Sequence, residues 1–168
     1  NGIKQSEGQF FTPVPICKFI VSALPLEHLI ATHSEPIRAI DYACGSGHFL
    51  TEYALHLPPL LKQIKHIDNP TNYYQHIYGI EKEDRLAKVA KVSAFMYGRK
   101  EIHIIDADAL VPHDDIKEAG FNVLIANPPF AVEDFLLTVD EEHREKYTLM
   151  NTVNDVGNKN IQCFFKKA

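Results

Sequence analysis

Apolar positions along this chain follow two alternating rhythms. Over residues 13–24 (PVPICKFIVSAL) they fall at Ile16, Phe19, Ile20 and Ala23, the spacing of one helical face. Thr12 followed by Pro13 supplies a cap and a first-turn proline for that helix. Residues 37–43 (IRAIDYA) read as a strand, then a Gly-Ser-Gly turn leads into a helix from about His48 to Leu57, which Pro58-Pro59 is predicted to stop. Residues 76–80 (HIYGI) read as a second strand ending at Glu81. A helix over 84–97 follows, with Leu86, Val89, Ala90 and Ala94 on one side. Residues 101–105 (EIHII) and 121–126 (FNVLIA) give a third and a fourth strand. Strands alternating with helices predict an α/β fold, a mostly parallel sheet with flanking helices.

Composition changes this picture little. The chain has 168 residues, 45% of them apolar and 23% charged, ordinary for a single globular domain spanning 1–168. A formal charge of −5 excludes a basic nucleic-acid clamp, so a DNA substrate would take most of its phosphate contacts elsewhere, from another domain or subunit. Cys17, Cys44 and Cys163 have no pairing or metal spacing, which fits a reducing cytoplasm, and the nine histidines form no metal-binding cluster. No long apolar run points to a membrane. The run Asp140–Tyr147 reads as a solvated face and the Asn-rich 151–160 as a loop. The chain starts at Asn1 and ends on Phe164-Phe165-Lys166-Lys167-Ala168, which reads as the opening of an amphipathic helix. It is therefore read as a fragment, truncated at its C-terminus.

Every candidate chemical group falls just after a strand, and open parallel sheets bind ligands at the carboxyl ends of their strands. The first such end carries Asp41-Tyr42-Ala43-Cys44-Gly45-Ser46-Gly47-His48-Phe49. Two glycines allow a tight turn and close backbone approach to a ligand. A dinucleotide site would need a third glycine where Leu50 stands, which disfavours a nicotinamide-dependent oxidoreductase. An acid four residues before the first glycine resembles instead the cofactor loop of class I S-adenosylmethionine-dependent methyltransferases, Rossmann-like in fold. The form Ala-Cys-Gly-Ser-Gly-x-Phe-Leu is similar to DNA adenine-N6 methyltransferases, especially the modification subunits of type I restriction systems and single-chain type IIG enzymes.

The resemblance implies roles for the other strand ends. Glu81 would accept hydrogen bonds from the cofactor ribose, although an acid favoured at a helix N-terminus is the plainer reading of that residue alone. Asp108, with Ala109 beside it, would meet the adenine amine of S-adenosyl-L-methionine, leaving Asp106 as a turn residue. Asp41, Ala43, Gly45 and Gly47 would line the cofactor loop, and Ile80 and Leu110 would either wall the adenine or pack the core. The stretch Gly8-Gln9-Phe10-Phe11-Thr12-Pro13 matches an element that covers the cofactor in type I modification subunits, with Thr12 near the methionine carboxylate. A plain cap is the alternative for Thr12.

Asn127-Pro128-Pro129-Phe130 carries the chemistry in this reading. Two prolines stiffen the backbone and remove two donors. They leave the Asn127 side-chain oxygen and the Pro128 carbonyl as acceptors beside the Phe130 ring. Acceptors set in advance for positive charge developing on an exocyclic amine are electrostatic preorganisation. Phe130 would stack on an adenine extruded from duplex DNA. The order, cofactor loop before catalytic tetrapeptide, is the gamma arrangement. It implies a specificity subunit or fused target recognition domain, and in some systems a restriction subunit, as partners. Alternatives are an amino methyltransferase acting on protein glutamine or ribosomal RNA, which more often carries Tyr at the fourth position, and a non-catalytic cofactor-binding scaffold subunit.

Overall fold

The computed structural model describes residues 11–114, 116 and 120–128. Residues 11–109 and 120–127 form one compact unit; the described residues Leu110–Asp114, Ile116 and Pro128 belong to a second, in which His113 and Ile116 make an antiparallel bridge. Helix α1 spans Val14–Ser22 and α2 Leu26–Thr32. Strand β1 (Ala39–Asp41) leads to α3 (His48–Lys65), the short α4 (Thr71–Tyr74) and β2 (Ile77–Glu81). Helix α5 (Asp84–Met96), β3 (His103–Asp106) and β4 (Val123–Leu124) complete the described elements.

The four strands are ordered β3-β2-β1-β4 and each adjacent pair is parallel. From β1 through β2 to β3 the chain steps in one direction. Right-handed crossovers therefore place α3 and α5 on one face of the sheet, where they touch. β4 then returns to the far side of β1. The order reverses between β1 and β4, and in sheets of this kind that reversal opens a crevice at the strands' carboxyl ends. At the opposite edge the Arg38 guanidinium lies 4.6 Å from the Phe121 ring and 5.2 Å from the Tyr78 ring, closing it with cation–π contacts.

All four anticipated strands and the helices around residues 14–22 and 84–96 are present. Three expectations fail. Pro58 and Pro59 do not stop α3, which runs on to Lys65 with both inside it. An interior proline costs about 3 kcal/mol. The stripe Leu50, Tyr53, Leu57 and Leu61 is nonetheless buried without interruption across the prolines. Each such side chain contributes roughly 1.5–3 kcal/mol on burial, enough to hold the second half of the helix in place. The second failure is the buried face of α1. Phe19 is 72% exposed and Ile16 and Ile20 also face outward, whereas Cys17 and Val21 are fully buried. Helix α1 packs against α3, and small side chains on that side permit closer approach. In α5 the buried positions are Ala87, Ala90 and Ala94, with Val89 exposed, for the same reason.

Among the described residues no single helix is long and apolar enough to cross a membrane; α1 and α2 meet that test only as a pair bent by 47°.

Candidate cofactor and catalytic site

The site grows from the turn after β1. Gly45 and Gly47 both have positive φ, +54° and +82°, where a side chain would be strained. The Gly47 N–H donates to the Cys44 carbonyl at 2.8 Å, and Gly47 then opens α3, whose first amides face the turn end of the sheet. A Cβ on Gly45 would meet nothing within 4 Å, so that backbone borders open space.

Two carboxylates organise the turn from below. Asp41 is 1% exposed and its Oδ1 accepts the Ala43 N–H at 3.0 Å. Burial is the main reason its carboxyl is raised from 3.8 to about 7; the Ala43 hydrogen bond opposes the shift and the nearby Glu81 charge adds to it. Glu81 ends β2, and its Oε2 accepts the Gly45 N–H at 2.8 Å while Oε1 accepts the Glu83 N–H at 2.8 Å. Each oxygen keeps a second lone pair for a hydroxyl donor. The plainer reading of Glu81, an acid at the start of a helix, is thus only part of its role, because it also ties β2 to the glycine turn across 36 residues.

The state of Asp41 is testable through stability. Below pH ~4 both the folded and the unfolded chain hold this proton, between ~4 and ~7 only the folded chain does, and above ~7 neither does. The folded state is therefore favoured in acid, loses ground as pH rises through that window, and levels off above it. Asp41→Asn keeps an acceptor for Ala43 and removes the titration. In chemical denaturation of the full-length protein, the stability of D41N relative to wild type is expected to improve by roughly 2–3 kcal/mol between pH 5 and pH 8. A difference that does not change with pH would mean that Asp41 is ionised throughout.

At the third strand end, Asp108 Oδ2 pairs with Lys82 Nζ at 2.7 Å, and Asp108 is 19% exposed. Any amine reaching Asp108 shares it with this lysine, which the sequence reading did not single out. Ala109 follows it in the same unit, and the Ala107 N–H donates to the Glu81 carbonyl at 2.9 Å, holding this segment beside β2. Ile80 is buried within the sheet.

The fourth strand end brings the two ends of the described chain together. Ile125 N–H donates to the Ile40 carbonyl at 3.0 Å, so β4 leaves the sheet alongside the end of β1. Asn127, two residues on, is half-buried, and its Nδ2 donates to the Thr12 hydroxyl at 2.9 Å across 115 residues. Thr12 is not the helix cap: Pro13 occupies that place and α1 has no side-chain cap bond. Pro128 belongs to the second compact unit, and Pro129 and Phe130, like Gly8-Gln9-Phe10, residues 140–147 and the segment from 151 onward, lie outside the described residues.

Gly79, inside β2, belongs to no motif of the sequence but matters to the site's packing. A Cβ there would lie 2.6 Å from Leu50 Cδ1, 2.9 Å from Cys44 Sγ and 3.0 Å from Ile104 Cδ1. This glycine lets α3 and the turn after β1 sit directly on β2. A lone glycine inside an apolar strand was the available signal.

Comparison with known proteins bears on the family and the fold. The family model for N-6 DNA Methylase matches residues 2–166. The type I restriction enzyme MjaVII methylase subunit of Methanocaldococcus jannaschii is 26% identical over 151 residues, covering 89% of this chain and 23% of that protein. The type I restriction-modification methyltransferase subunit from Streptococcus thermophilus superposes with a TM-score of 0.52 at 19% identity, covering 77% of this chain and 25% of that one. A Listeria monocytogenes protein described as a class I S-adenosylmethionine-dependent methyltransferase superposes with a TM-score of 0.59 at 20% identity, covering 91% of this chain and 40% of that one. The chain thus spans about a quarter of the length of its restriction-system relatives. With a parallel β3-β2-β1-β4 sheet, a glycine turn after β1 and a family match over nearly its whole length, this chain belongs to the N-6 DNA Methylase family and has the class I methyltransferase fold.

Proposed function

We propose that this chain is the cofactor-binding and catalytic portion of a DNA adenine-N6 methyltransferase that acts within a type I restriction–modification system in the cytoplasm. The observation that carries the reading is the placement of Asn127: it leaves β4 on the same sheet edge as the Gly45–Gly47 turn, across the point where strand order reverses.

The residues suit S-adenosylmethionine. Backbone bordering open space at Gly45 admits a ligand, and the Glu81 carboxylate keeps lone pairs for a ribose diol and favours a cationic group nearby. When bound, the cofactor supplies a methyl carbon made electrophilic by its sulfonium. The chain's own task is to make a poor nucleophile attack it. The lone pair of an adenine amine is delocalised into the ring. An acceptor at Asn127 Oδ1, joined by the Pro128 carbonyl, holds the amine hydrogens and favours a tetrahedral nitrogen with its lone pair freed. As positive charge develops on that nitrogen, these oxygens stabilise it without having to reorganise. Phe130 stacks on the extruded base. Transfer is then a direct displacement governed mainly by alignment. With a net charge of −5, the chain relies on a specificity subunit or target recognition domain to grip duplex DNA. A restriction subunit completes the system.

The test uses the complete protein with its specificity partner, unmodified duplex DNA and methyl-labelled S-adenosylmethionine. After enzymatic digestion the label is expected on N6-methyladenine. Label on cytosine, on RNA or on protein, or none in DNA, would refute the assignment.

A further inference from the structure

We propose that Thr12 is a positioning residue for Asn127: by accepting a hydrogen bond from the amide nitrogen, its hydroxyl fixes which end of that amide faces the substrate. The inference rests on the catalytic reading of Asn127 above. An asparagine amide is almost symmetric in shape, and half a turn about its last torsion exchanges oxygen for NH2. For a target amine the two ends are opposites, because the oxygen accepts its hydrogens while the NH2 presents donors to donors.

The fold supplies an anchor that makes the choice. Thr12 Oγ1 lies 2.9 Å from Asn127 Nδ2, so it is the nitrogen end of the amide that meets the hydroxyl at the start of α1. Thr12 is itself held at the start of α1, where its carbonyl accepts the buried Cys17 thiol at 3.7 Å and the Pro13 carbonyl accepts the Ile16 and Cys17 N–H groups at 2.9 and 3.1 Å. Its hydroxyl takes no part in capping the helix. A hydroxyl has one proton to give. If that proton goes to an anionic group, such as an amino-acid carboxylate of the cofactor, the oxygen can only accept, and the amide is locked with its oxygen toward the base. One side chain then links the occupant of the cofactor site to the catalytic acceptor.

Thr12→Val keeps the shape and removes the hydroxyl; Thr12→Ser keeps the hydroxyl. In the full-length protein with its partner subunit, the single-turnover rate of methyl transfer to unmodified genomic DNA is measured at saturating S-adenosylmethionine, and cofactor Kd by calorimetry. T12V is expected to slow the step at least about tenfold even at saturation, while T12S stays within about threefold of wild type. Asn127→Asp provides a second readout, because both ends of a carboxylate accept and no orienting is needed. In the N127D background T12V should change the residual rate less than about twofold. The proposal is overturned if T12V raises only the cofactor Kd, if T12S is as slow as T12V, or if T12V slows N127D as much as wild type. Should T12V not fold, the contrast between T12A and T12S decides the matter by the same criteria. An N127A protein with wild-type rate removes the catalytic reading itself, a result separable from all of these.

Discussion

Asn127→Ala in the full-length protein is expected to abolish methyl transfer while binding of S-adenosylmethionine survives. Asn127 is half-buried just beyond β4, and among the described residues its side chain bonds to a single hydroxyl, that of Thr12. Truncation to alanine therefore removes the acceptor without opening a core cavity, and the sheet pairing of Ile125 with Ile40 is untouched. Loss of one preorganised partner for developing charge costs about 10²–10³-fold in rate. In the proposed chemistry Asn127 also holds the amine in its reactive geometry, so the combined loss should exceed that range and fall below detection in a standard assay. The proposed cofactor turn at Gly45 and Gly47 and the Glu81 bond that braces it lie on other strand ends, so the cofactor Kd should change by less than about threefold. The check is a labelled-methyl assay on unmodified DNA run beside a calorimetric titration of the cofactor. Transfer at the wild-type rate would remove Asn127 from the chemistry, and a loss of cofactor binding of the same size as the loss of rate would make its role structural.

The legible part of this protein is the part that local chemistry dictates. A positive-φ turn needs glycine, so Gly45 and Gly47 announced the loop, and the acid before them and the apolar runs around them placed β1, β2, β3 and β4. Most candidate site residues follow strands, because a parallel sheet collects strand ends on one edge. What stayed hidden depended on partners far away in the chain. Pro58-Pro59 is a helix stop only when nothing beyond it has to be buried, and the burial of Leu61 overrides it. Helix α1 offered two apolar faces, and the one with the larger side chains was the natural choice; contact with α3 selected Cys17 and Val21 instead. Thr12 was read as a cofactor neighbour or a helix cap, and its bond to Asn127 became visible only with the return of β4 beside β1. The pairing of Asp108 with Lys82 is likewise a consequence of β3 lying next to β2, since neither residue signals the other in sequence.

Gly47→Leu is expected to eliminate measurable cofactor binding, for reasons that are geometric rather than chemical. Gly47 has φ of +82°, and an L side chain in that region costs about 1–2 kcal/mol. Its neighbour adds a second penalty: the first carbon of any side chain would sit 3.3 Å from Ala90 Cβ and 3.6 Å from Ala90 Cα on α5. Ala90 is buried and α5 packs on β2 and β3, so the helix cannot yield without disturbing the sheet. Leucine carries three carbons beyond that first one, and overpacking of this kind costs a further 1–3 kcal/mol or so. The cheaper escape is for the turn itself to rearrange, which breaks the Gly47–Cys44 bond and pulls Gly45 from Glu81. Either outcome displaces the backbone that a cofactor must approach closely, and a fall in affinity of roughly a hundredfold or more follows. Gly47→Ala, which brings only the first carbon, should give a smaller loss, whereas Gly45→Ala meets open space and bears the conformational cost alone. Calorimetric titration of S-adenosylmethionine into the three full-length variants, with circular dichroism to show that each is folded, ranks them. If G47L binds with the wild-type dissociation constant, the turn after β1 is not the cofactor loop, and the acids gathered beneath it serve the fold alone.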